Sequence, residues 1–271
     1  MSKRMDRRIK SGPERHVVRD ALAAALAGWK YYLLAVVLTF FLCAALFGIQ
    51  GWSAADAQRQ YRMVVRCLCG SMLVVLPLLY GRMRIKKRLA PGAFSVKGLA
   101  AYAPVLAAVG VGGLLGVAAD IVQKGSLQPL AQLAEFWQVV SAAIVALFIA
   151  MVNEGRMIAC LKERGYAHEE IVRMLAGLML FVIVANLLLT LANGGSLDVV
   201  DSGISGLNGL LLVLLCGRAA LRSGRLTEVF VLRLMLQLTN GSGRLPAAQA
   251  VQIVGLAAAI LLLERIPAKT A

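Results

Sequence analysis

The sequence predicts an all-α fold, a polytopic transmembrane helical bundle of about eight spans, on three observations. Of 271 residues, 59% are hydrophobic and only 16% are charged, and mean hydropathy is +0.75. A soluble surface of this size carries more charge, since about a quarter of typical residues are Asp, Glu, Lys or Arg. The apolar residues come in blocks of roughly 18 to 25, the length that crosses a hydrocarbon core of about 30 Å. These blocks are continuous rather than alternating, which argues for helices over a barrel as the way to satisfy backbone polar groups in lipid.

Residues 1–28 read as a basic, partly amphipathic arm, with Lys3, Arg4, Arg7, Arg8, Lys10, Arg15 and Arg19. Residues 29–265 read as a single transmembrane domain. Trp29, Tyr31 and Tyr32 open span 1 (29–50) as an aromatic belt, the position amphipathic rings prefer. The remaining spans are expected over 64–81, 98–122, 135–160, 169–192, 203–221, a short one over 226–239, and 247–264. Span 3 holds Gly112 and Gly116, four apart on one face, which lets another helix approach closely. Glu169 and Glu170 with Arg173 mark a helix start, where acidic groups suit the N-terminal turn.

A net charge of +15 and a pI near 10.2 would suggest nucleic acid in a soluble protein. Here the basic residues fall between spans and set topology. The segments 1–28, 82–97, 156–173, 218–225 and 265–269 hold 22 Lys and Arg, against five (Arg59, Arg62, Arg66, Lys124, Arg244) on the other side. That bias places both termini in the cytoplasm and asks for an even number of spans, and the expected location is the cell (inner, cytoplasmic) membrane. No basic helix with stacking aromatics accompanies the charge, so no nucleic-acid partner is expected. The long basic arm before a full-length span argues against a cleaved signal peptide. Cys43, Cys67, Cys69, Cys160 and Cys216 lie in or beside apolar segments without a CxxC pair, and His16 and His168 are far apart. No metal or cofactor site can be written from these.

Ionisable groups inside spans are expensive and therefore candidates for function. Glu154 lies in span 4 and Arg233 near the middle of span 7. Each is the other's nearest partner by depth, with Asp201 or Glu228 as fallbacks. A buried pair of this kind either fixes helix register or forms a polar site. Asn153, Arg156, Asn186, Asn208 and Gln237 are the further candidates for an intramembrane polar network.

Across roughly residues 80–265 the layout resembles the CPBP family of intramembrane proteases, the CAAX-processing and bacteriocin-immunity proteins. The stretch Asn153-Glu154-Gly155-Arg156-Met157-Ile158 is similar to that family's first motif, with Glu154 in the place of its second glutamate. Phe181 and Ala185 fall on the second motif. Arg233 and Gln237 fall on the third, after the turn Arg222-Ser223-Gly224-Arg225-Leu226. Ala185 and Arg233 occupy the histidine positions, so the resemblance implies a catalytically degenerate relative. Three readings follow in order: a protease-like protein acting by binding a membrane protein or peptide, an active peptidase using Glu154 as general base, and a transporter or permease subunit. All three place the chain in the lipid bilayer.

Overall fold

The computed structural model describes residues 16–50, 57–86, 93–127, 135–193, 198–239 and 246–266, and every regular element within them is helical. The helices are α1 (Val17–Gln50), α2 (Ala57–Ile85), α3 (Leu99–Lys124, opening with a 3-10 turn), α4 (Phe136–Glu163), α5 (His168–Ala192), α6 (Val199–Ser223), α7 (Thr227–Thr239) and α8 (Pro246–Arg265). Seven are long and apolar enough to cross a membrane. The exception is α7, whose 13 residues extend roughly 20 Å at 1.5 Å per residue. The bundle expected from the hydropathy is present, with its eighth member a partial span.

Element ends differ from the sequence reading at the N-terminus. α1 runs unbroken through residue 28, so residues 17–28 form its first turns, and Ala24 and Ala25 there are fully buried. The rest of the expected arm, 1–15, lies outside the described residues, as do Lys87, Arg88 and Arg244. Glu170 accepts the Ala167 N–H at 2.7 Å, so the acidic pair does open α5.

Consecutive helices alternate in direction, and contacts between their ends show it. At one end the start of α1 meets the α4–α5 turn, where Asp20 accepts hydrogen bonds from Arg164 and, at 2.7 Å, from the Tyr166 hydroxyl. At that end also, Arg218 of α6 pairs with Glu264 of α8 at 2.7 Å. The Leu226 N–H before α7 donates to the Ala93 carbonyl before α3, at 2.7 Å. At the opposite end Arg66 of α2 lies over the Trp137 ring of α4, 5.3 Å from its centroid. The first of these ends gathers the basic segments and is called the basic end below.

Close packing of α3 on α8 is set by two glycines. A Cβ on Gly112 would stand 2.7 Å from the Gly255 Cα, inside any real contact. The paired glycines bring the two backbones together, as small residues do between membrane helices. The Gly112 face is thus used within the chain. In α6, a Cβ on Gly209 would meet Met179 of α5 at 2.5 Å. Replacing Gly112 or Gly255 by Ala should destabilise the fold by about 1–3 kcal/mol, the usual cost of overpacking. Thermal unfolding in detergent checks this, and an unchanged melting temperature would contradict the crossing.

Candidate functional site

The middle of α4 departs from α-helical geometry. Residues Ala150–Met157 form a π-helix, and the Ile158 N–H reaches back to the Asn153 carbonyl, five residues earlier. Such wide turns recur at functional positions. Seven of these eight residues are buried, all but Asn153. Side chains on every side of a helix can be buried only if neighbours surround it. Here α1, α2, α6 and α7 all pack against the π segment. Gly155 leaves room for this, since a Cβ there would stand 3.0 Å from the Met83 Cε and 3.3 Å from Leu226.

This segment carries Glu154 into the bundle. Arg233 Nε donates to Glu154 Oε2 at 3.0 Å, and Nη2 donates to Oε1 at 2.5 Å. The two-point geometry matches guanidinium to carboxylate, the strongest arrangement for such a pair. Side-chain exposure is 6% for Arg233 and 2% for Glu154. Asn153, on the same turn, accepts a hydrogen bond from the Tyr32 hydroxyl of α1 at 3.4 Å. One turn of α4 is thereby tied to both α1 and α7.

The other candidates are placed differently. Arg156 is buried, and its Nε and Nη1 have no hydrogen-bond partner. Asn186 is exposed on α5, and Gln237 is half-buried on α7. Neither donates to or accepts from the pair. Glu228, one of the fallback partners, lies 3.9 Å from Arg225, and its Oε2 is unpaired. The other fallback, Asp201, accepts a hydrogen bond from Gln249 at 3.5 Å.

Sequence reasoning did not single out Tyr32 for this site, nor the buried Gln252 and Thr239 of α8 and α7. A glutamine inside a span was the available signal for Gln252. Both oxygens of Glu154 are engaged by Arg233, so this carboxylate is not a free base or ligand. Among the described residues, no three His, Cys, Asp or Glu side chains come together as a metal site.

The pair makes a clear prediction. Arg233→Met leaves a buried carboxylate alone and should cost about 3–5 kcal/mol, whereas replacing both partners by apolar residues should recover most of it. Arg156→Met removes a buried guanidinium whose Nε and Nη1 have no partner and should be neutral or stabilising. Melting temperatures of the three variants in one detergent test the set, and equal losses in all three would contradict it.

In comparison with known families, residues 8–163 match the model described as CbiM, cobalt uptake substrate-specific transmembrane region. The matched stretch is more than half of the chain and contains α1 through α4, the π segment included. No curated protein and no solved structure matches the chain. The family match overturns the resemblance to the CPBP proteases, and with it the protease and pseudoenzyme readings. That resemblance rested on a succession of apolar spans and a glutamate in span 4, features polytopic proteins share without kinship. Its second motif falls on a lipid-facing stretch, where Phe181 is 59% exposed.

Proposed function

The chain belongs to the CbiM family of cobalt uptake substrate-specific transmembrane regions, and on that premise we propose that it specifies the cargo of a cobalt uptake transporter. The third of the sequence readings, a transporter subunit, thus replaces the first two. The observation that carries it is the family match over α1–α4. Its partners on this reading are the lipid bilayer and other subunits of the same transporter. The excess of Lys and Arg at one end supports an orientation with both termini in the cytoplasm.

Within this reading the Glu154–Arg233 pair is a latch, neither a catalytic centre nor a cobalt site. Its carboxylate is fully engaged, and a guanidinium beside it repels a divalent cation. The latch holds the π turn of α4 against the short α7, a junction of the matched and unmatched parts of the chain. Asn153 and Tyr32 add α1 to it.

Accumulation of radioactive cobalt in cells lacking the gene, with and without the wild-type chain restored, tests the reading. Restored cobalt accumulation is expected, with magnesium in excess failing to compete. Accumulation no higher than in the deletion strain, with the chain present in the membrane, would overturn it.

A further inference from the structure

A second group of polar side chains lies inside the bundle, at the end away from the basic one. Asp201, Ser205 and Asn208 recur at four and three residues along α6, so they share one helix face. Gln249 and Gln252 do the same on α8, and α6 and α8 pack together. Gln249 Nε2 donates to Asp201 Oδ1 at 3.5 Å, and the Ser205 hydroxyl donates to Gln249 Oε1 at 2.8 Å. One turn further in, Asn208 Nδ2 donates to Gln252 Oε1 at 2.9 Å, and Gln252 Nε2 donates to the Thr239 hydroxyl of α7 at 3.4 Å.

Burial deepens along this ladder. Ser205 is exposed, Asp201 and Gln249 are half-buried, and Asn208, Thr239 and Gln252 are 8%, 7% and 1% exposed. The ladder therefore starts at the membrane surface and ends inside. Helix cohesion is a weak reason for it, since interhelical hydrogen bonds in membranes average about 0.6 kcal/mol. The neighbouring α3–α8 crossing is held by the Gly112–Gly255 approach and by apolar side chains such as Val109 and Leu256. Buried polar groups in lipid otherwise mark ion and substrate pathways.

Its chemistry selects the sign of the ligand. Every rung carries a side-chain oxygen that a neutral amide or hydroxyl engages in the closed state, to be exchanged for a cation on opening, and the one charged rung is the carboxylate at the mouth. Neither α6 between 199 and 217 nor α8 between 246 and 264 contains a Lys or Arg. Oxygens of this kind replace part of the hydration shell of a hard or borderline cation. Beyond Thr239 the fully apolar Leu232, Leu236 and Leu256 close the route towards Arg233.

We propose that this ladder is an access track for a hydrated divalent cation, entered past Asp201 and closed from Asn208 and Gln252 inward in the conformation described. The existence of the track stands on its own observations, while cobalt as its occupant rests on the transporter reading above.

The test uses single cysteines in the full chain with its native cysteines replaced by alanine, in whole cells, with membrane-impermeant thiosulfonate reagents applied from outside. Ser205→Cys, nearly isosteric, guards against a folding defect in the deeper variants, and immunoblots of the membranes report abundance. Ser205→Cys is expected to react in the resting protein, and Asn208→Cys and Gln252→Cys to react as the track opens in transporting cells, while the equally buried Leu256→Cys on the same helix does not. A cationic reagent should react about tenfold faster than an anionic one of equal size, as expected for a cleft with a charged mouth. Asp201→Asn should erase that preference. Positions 208 and 252 as inert as 256, or equal rates for the two reagents, would overturn the track. Slowing of modification by added cobalt supports cobalt as the occupant. Slowing by a different divalent cation but not by cobalt would support the track and overturn the cobalt reading.

Discussion

A guanidinium in the apolar interior of a membrane protein needs a counter-charge, and much of this fold is arranged to supply one. Arg233 sits in the middle of α7, flanked by Leu232 and Leu234, where an isolated charge would cost at least about 2.5 kcal/mol. Glu154 meets it with both oxygens. For that to happen, α4 must pass beside α7 with the right residue facing it. The π turn at 150–157 is where α4 is wide enough to be enclosed by α1, α2, α6 and α7 together.

The same turn shows how local and tertiary preferences trade against each other. A π turn has poorer backbone geometry than an α turn, which is why such turns are short and uncommon. It persists here because the neighbours over-determine it: Met83 and Leu226 press on Gly155, Tyr32 reaches Asn153, and Arg233 grips Glu154. Arg156, two residues further along, has no such compensation at its Nε and Nη1.

Much of the architecture was legible in the sequence, because hydropathy over about 20 residues is set by bilayer thickness alone. The seven long spans, the short α7 and the gathering of basic segments at one end all follow from that. The Glu154–Arg233 contact was also legible, since two opposite charges at similar depth have few alternatives in lipid. The π turn was not, because it arises from packing around Gly155 and not from any propensity of the residues themselves. Arg156 was placed beside the pair by sequence proximity, which says little about direction on a distorted helix. Asn186 was read as part of the interior although it lies on the exposed face of α5. Family kinship was misread for a further reason: span count and a single glutamate are weak marks, and the matched region 8–163 includes the N-terminal helices that the protease resemblance left out.

The glycine crossing of α3 on α8 bears on how the chain is divided. Family similarity ends at residue 163, which invites treating the last four helices as an appendage. Gly112 and Gly255 stand backbone to backbone, so α8 fills the place beside α3 that a side chain would otherwise occupy. The stretch after 163 is therefore an inner wall of the folded unit. A piece ending at the similarity boundary would present a bare glycine groove and an unanswered glutamate to the lipid, and evolution could vary the later helices only while keeping both surfaces covered.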